Sequence, residues 1–210
     1  LAVSERGLSV LQAMAAADLT SDADFNQLLG GLISEPVVVG VAIAFLAAVV
    51  PLIEESVKSV SIWPVIQRRP SVGQAFLGGV LAGSGYALFE SLLLAQPGAD
   101  WVSSMVARAG TPLIHAFGTG LVSWGLIEAI VNRRPLRLLA LYLTAVGFHG
   151  IWNFTALAVA LSGFSLEVGA GVISPAGAGL VALSGLLVLL SLSAVALVGL
   201  VGLPRWLAKR

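Results

Sequence analysis

Residues Val49–Val60 read VVPLIEESVKSV, which sets two carboxylates and an ammonium, Glu54, Glu55 and Lys58, at the end of an apolar run. The run starts at Pro36 and is long enough to cross a bilayer, since about 20 apolar residues in a helix span about 30 Å of hydrocarbon. A charge at that depth costs roughly 2.5–3.5 kcal/mol even on the lenient insertion scale. Charged residues in such a helix therefore face protein or a polar cavity. The stretch predicts a membrane protein whose first span has a polar inner face.

Composition agrees. The chain has 210 residues, of which 58% are hydrophobic and 10% charged, with 24 glycines, well outside the composition of soluble domains. Formal net charge is zero and no basic tract occurs, so nucleic acid is not an expected partner. The absence of cysteine removes disulfides, thiolate nucleophiles and thiolate metal ligands together. The chain opens at Leu1 without methionine, which points to a processed or trimmed N-terminus and leaves room for an upstream helix.

Five segments have the length and hydropathy of spans: Pro36 to Val60, Ser71 to Ala95, Trp101 to Val131, Leu136 to Leu161 and Ala176 to Leu203. The expected fold is all-α, a polytopic transmembrane helix bundle of about five spanning helices (residues 36–210). It follows an N-terminal extramembrane or interfacial segment (residues 1–35), where GLSVLQAMAAA is too short to cross and DLTSDADFNQ is acidic. Arginine and lysine cluster at Arg68, Arg69, Arg133, Arg134, Arg137, Arg205, Lys209 and Arg210, whereas the alternate loops carry Asp100 and Glu167 and no cation. The positive-inside rule then places the C-terminus in the cytoplasm. Gly79 and Gly83, four apart, and the run GTGLVSWG allow two helices to approach closely, although ordinary packing uses glycine in the same way.

The chain's only two histidines, His115 and His149, lie in or near these spans together with Glu54, Glu55, Lys58, Glu90 and Arg108; the fifth span has no such residue. Lys58 is four residues from Glu54 and three from Glu55, within reach of either carboxylate on a helix. Pro51 can bend that helix just before them. His149 and Asn153 are four apart on one face of the fourth span, and Arg108, His115 and Thr119 form a stripe along the third. Arg108 reads as a buried charge partner, and Glu128 as an interfacial residue without a role. Counting about 1.5 Å per residue from the nearest arginines puts Glu54 and His149 roughly 18–21 Å up and Glu90 and His115 roughly 27–30 Å up, one to two turns apart.

EESVK, GYALFE, RAGTPLIHAFGTG and HGIWN, in this order and one per successive span, resemble the motifs of the PrsW family of intramembrane proteases, relatives of the CAAX-prenyl-processing (CPBP) membrane proteases. The resemblance covers about Pro36 to Phe154. It implies hydrolysis of a membrane-anchored protein substrate in the bilayer, such as an anti-sigma-factor-like protein, in a prokaryotic plasma membrane. It also implies catalytic roles for Glu54, Glu55, Glu90, His115, His149 and Asn153, supported by Lys58 and Arg108. Two departures stand out: the CAAX-processing relatives have EExxxR in place of EExxK, and a histidine four residues after the phenylalanine, where this chain has Leu93. His115 is the candidate replacement.

Two mechanisms fit these residues. Without a metal, Glu54 or Glu55 acts as general base, His115 orients the water, and His149 and Asn153 donate to the oxyanion. With zinc as cofactor, His115, His149 and Glu54 form a His2Glu set. HxxxN pairs a good ligand with a poor one, which favours the metal-free form. The competing class is a proton-coupled transporter or channel using the same buried groups, but no inverted repeat or pair of broken spans supports it.

Overall fold

The computed structural model describes residues 34–94, 108–167 and 173–208, with isolated positions 12, 28, 30–32 and 105. The expected N-terminal segment, the loop at 96–100 and the tail residues Lys209 and Arg210 lie wholly or mostly outside the described residues. Among the described residues every regular element is helical, and five helices are long and apolar enough to cross a membrane. The first, Pro36–Ile66, is composite: α1 (Pro36–Ala44), a π turn (Phe45–Val49), α2 (Val50–Ser59), a 3-10 turn (Val60–Ile62) and α3 (Trp63–Ile66). The others are α4 (Val72–Leu94), α5 (Thr111–Ile130), α6 (Pro135–Glu167) and α7 (Pro175–Leu207).

Span ends differ from the hydropathy reading where proline and glycine intervene. Pro64 sits in the first turn of α3, where its missing N–H costs nothing, so the first span runs on past Val60. Within the third segment the described helix is Thr111–Ile130, with Pro112 in its first turn, and Arg108–Gly110 form a turn just before it. Arg108 therefore stands outside the helix and not on its stripe.

The chain divides into two compact units. One holds the described residues up to Phe45 together with Thr155–Leu186. It encloses an apolar cavity of about 470 Å³ beside Val39, Ile43, Leu161 and Ser165.

The other unit holds Leu46–Phe154 and the chain from Leu187 onward. Its centre is α5: in the most apolar window of this helix 78% of residues are buried, against 17% in α4. Large side chains elsewhere, such as Leu81 and Val198, are exposed in the way lipid-facing residues are. The contact between α4 and α5 depends on glycine. A Cβ on Gly79 would strike the Thr119 carbonyl and Ser123, and one on Gly83 would strike the His115 carbonyl. The two backbones approach as small-residue pairs do in membranes, where packing rather than water exclusion drives association. Phe76, Ile114, Phe117, Leu121 and Trp152 fill the remaining core.

Candidate active site

The site is built from the kink in the first span. Pro51 has no N–H, so a carbonyl one turn earlier loses its helical donor. The π turn at Phe45–Val49 lies at this point, and the Leu46 carbonyl accepts a hydrogen bond from Asn153 Nδ2 of α6 at 3.0 Å. Gly150 of α6 abuts the Ala47 carbonyl so closely that no Cβ would fit. Tyr142 adds a further tie, its hydroxyl 2.8 Å from the Leu52 carbonyl and 2.9 Å from Ser56 Oγ. These contacts fix the rotation of α2, and with it the direction in which Glu54, Glu55 and Lys58 project.

Lys58 is the hub. Its Nζ lies 2.8 Å from Glu55 Oε1, 3.1 Å from Glu54 Oε2 and 2.7 Å from His115 Nδ1, and 4.5 Å from the centroid of the Tyr86 ring. His149 Nδ1 is 2.9 Å from Glu55 Oε1, and its Nε2 is 3.8 Å from Glu54 Oε2. His115 Nε2 is 2.9 Å from Glu90 Oε2, the same oxygen that Arg108 Nη2 meets at 2.8 Å. The two imidazoles stand edge to face, 4.8 Å apart. The network thus joins Glu54, Glu55, Lys58, Glu90, Arg108, His115 and His149. Asn153 stays outside it, on the Leu46 carbonyl, and Thr119 packs against Gly79.

Hydrogen-bond chemistry assigns the tautomers. An ammonium only donates, so His115 Nδ1 carries a lone pair toward Lys58 and Nε2–H donates to Glu90. Glu55 accepts from His149 Nδ1–H, which leaves the lone pair of a neutral His149 on Nε2, facing Glu54. Each histidine is therefore oriented by a carboxylate on one nitrogen and offers the other to the centre of the site. Glu55 is fully buried, whereas the Glu54 side chain keeps 16% exposure, so Glu54 is the carboxylate a reactant can reach. Glu55 Oε2 lacks a hydrogen-bond partner, whereas Glu54 Oε2 is held by Lys58.

Sequence spacing did not show the parts that Tyr86 and Gly118 play. Tyr86 packs on the His115 ring and comes near enough to Glu54 to interact with its carboxylate. It precedes Glu90 by four residues, a helical spacing visible in GYALFE. At Gly118 a Cβ would lie 3.1 Å from Glu55 Oε2, so this glycine makes room for the buried carboxylate. Leu93 is 67% exposed and points away from the network, which His115 enters from α5.

A helical membrane bundle that gathers three carboxylates, one of them fully buried, around two oriented histidines has the constitution of a hydrolase acting within the bilayer. The family model for "PrsW family intramembrane metalloprotease" matches residues 8–195, and the chain belongs to that family. It is an integral membrane protease. The curated proteins and the solved structures yield no match.

Proposed function

We propose that the chain hydrolyses peptide bonds of a membrane-anchored protein at a metal centre held by Glu54, His115 and His149. One observation carries this reading: each of the three offers a ligand atom, and these atoms lie within 4.8 Å of one another. The donor set suits zinc, being two imidazoles and a carboxylate, and Glu90 and Glu55 on the outer nitrogens of the histidines supply the usual supporting carboxylates. This reverses the preference drawn from HxxxN, because the Asn153 amide donates to a backbone carbonyl and is not turned toward the cluster. When bound, the metal lowers the pKa of a coordinated water and polarises the scissile carbonyl.

The protein's own residues do the rest. Glu54, the partly exposed carboxylate, takes the proton of the attacking water through the oxygen it does not offer to the metal, while Glu55, fully buried, holds the His149 ring. Lys58 pairs with both glutamates, and its ammonium is the donor offered to a developing oxyanion. Its hold on the His115 Nδ1 lone pair means that ligation by His115 requires the ammonium to settle on the two carboxylates instead. Arg108 and Glu90 fix the His115 ring. The substrate is a single-pass protein of the anti-sigma-factor type, and the arginine-rich loops face the cytoplasm.

The test is metal analysis of the purified protein together with cleavage of a single-pass reporter in proteoliposomes. The expected result is about one zinc per chain, loss of cleavage on chelation and recovery with added zinc. Full cleavage by metal-free protein would return the mechanism to glutamate-activated water alone. Proton-driven flux without cleavage would support the transporter reading.

A further inference from the structure

A second polar site lies on α5, at Glu128, 13 residues beyond His115 and thus about 20 Å along the helix. A pocket of about 350 Å³ opens there, lined by Ser71, Trp124, Glu128, Asn132, Arg134 and Arg137. Four spans end around it: α4 starts at Val72, α5 stops at Ile130, α6 starts at Pro135 and α7 stops at Leu207. Converging span ends mark the level of the lipid headgroups. Trp124 and Trp206, edge to face at 6.1 Å, agree with that level, where tryptophan is enriched. Leu136, 78% exposed, provides an apolar flank beside the polar mouth.

The polar groups in the pocket do not satisfy one another. Glu128 is 5% exposed. Its Oε1 accepts from Arg137 Nη1 at 3.1 Å and Trp124 Nε1 at 3.3 Å. Its Oε2 is buried without a hydrogen bond, and Arg134 Nη1 stays 3.7 Å away. The guanidiniums of Arg134 and Arg137 are about half exposed and keep N–H donors for another acceptor. A ligand that completes this site brings an anion to the guanidiniums, which outnumber the one carboxylate, and a donor to Glu128 Oε2; a primary ammonium is the strongest such donor.

We propose that this pocket binds the phosphoethanolamine headgroup of a membrane lipid, with the phosphate on Arg134 and Arg137, the primary ammonium on Glu128 Oε2, and the acyl chains along the flank at Leu136. None of these residues belongs to the catalytic network, so the proposal stands apart from the peptidase mechanism.

The test is native mass spectrometry of the full chain in detergent, titrated with phosphatidylethanolamine, phosphatidylcholine and phosphatidylglycerol of identical acyl chains. The ethanolamine lipid should bind on the order of tenfold more tightly than the choline lipid, whose methylated nitrogen cannot donate to Glu128, as expected for one hydrogen bond to a charged group. Glu128→Gln should reduce that preference to about twofold or less, and Arg134→Gln, at a largely exposed side chain, should weaken both lipids alike. Binding of the glycerol lipid as tight as that of the ethanolamine lipid, or an unchanged preference in folded Glu128→Gln, would overturn the proposal. Displacement of bound lipid by millimolar inorganic phosphate would overturn it too, marking a site for free anions. Should Glu128→Gln fail to fold, the ethanolamine-to-choline ratio of the parent and the loss in Arg134→Gln decide alone.

Discussion

Glu55 on α2 and Glu128 on α5 are both buried in the same unit, and both accept from a nearby cation, yet different partners complete their surroundings. Glu55 is fully buried between Lys58 and His149, in a network whose imidazole lone pairs face Glu54 and Lys58. Glu128 meets Arg137, Arg134 and Trp124, donors without a lone pair to give, and its arginine partners reach the surface. Only the first shell of partners can bind a metal or pass a proton; the second can only hold charge. On the proposed reading the histidines, rather than the buried ion pairs, therefore locate the chemistry.

The largest effect expected from this contrast is in hydrolysis. Glu54→Gln and His149→Ala should each lower reporter cleavage by on the order of a hundredfold or more, through loss of a ligand or a donor. Glu128→Gln, measured in the same vesicles, should change cleavage by less than about threefold. Equal losses at Glu54 and Glu128 would abolish the distinction between the two sites.

Gly83→Ala comes next, because the added Cβ would meet the His115 carbonyl, a backbone atom that cannot swing aside. The α4–α5 contact must open, at a cost of about 1–3 kcal/mol of stability, and His115 moves with it. A fall in thermal unfolding temperature together with weaker metal retention is the expected pair of readouts. Unchanged values for both would show that the close approach of the two helices does not set the site.

Asn153→Asp acts on the scaffold that orients α2. The carboxylate removes the amide donor and faces the Leu46 carbonyl, so stability should fall by about 1–3 kcal/mol. Cleavage should drop less than in Glu54→Gln, with metal retained. If stability holds while cleavage falls a hundredfold, the amide belongs to the oxyanion after all.

Hydropathy alone was enough to show the five spans, and helical spacing put His149 and Asn153 on a common face that meets α2. The depth count separated Glu54 and His149 from Glu90 and His115 by one to two turns because it assumed uninterrupted helices starting at one level. The first span instead has a π turn before Glu54 and a 3-10 turn after Lys58, and it continues through α3. Those irregularities follow from Pro51 and Pro64, whose presence was visible but whose effect on register was not. The room that Gly118 leaves for Glu55 depends on how α2 crosses α5, which no linear pattern contains. The pairing of Arg108 with Glu90 joins a turn to a helix end, so helical periodicity had no means of finding it.

The smallest expected effect tests whether the site takes its histidine from α5 alone. The motif resemblance would put a histidine at position 93, where this chain has Leu93, 67% exposed on α4. Glu90, three residues earlier on the same helix, faces the network, so Leu93 is turned by about 300° from it, or 60° the other way. With the backbone of α4 held against α5 through Gly79 and Gly83, an imidazole at position 93 would remain on the exposed side. Leu93→His alone should therefore leave cleavage within about twofold of the parent, its main cost being a polar ring exposed to lipid. The double variant Leu93→His, His115→Ala should be as inactive as His115→Ala and retain no more metal. Recovery of cleavage or metal in the double variant would mean that α4 rotates to present position 93, and that the site is less rigidly specified by the α4–α5 glycine contact than the geometry indicates.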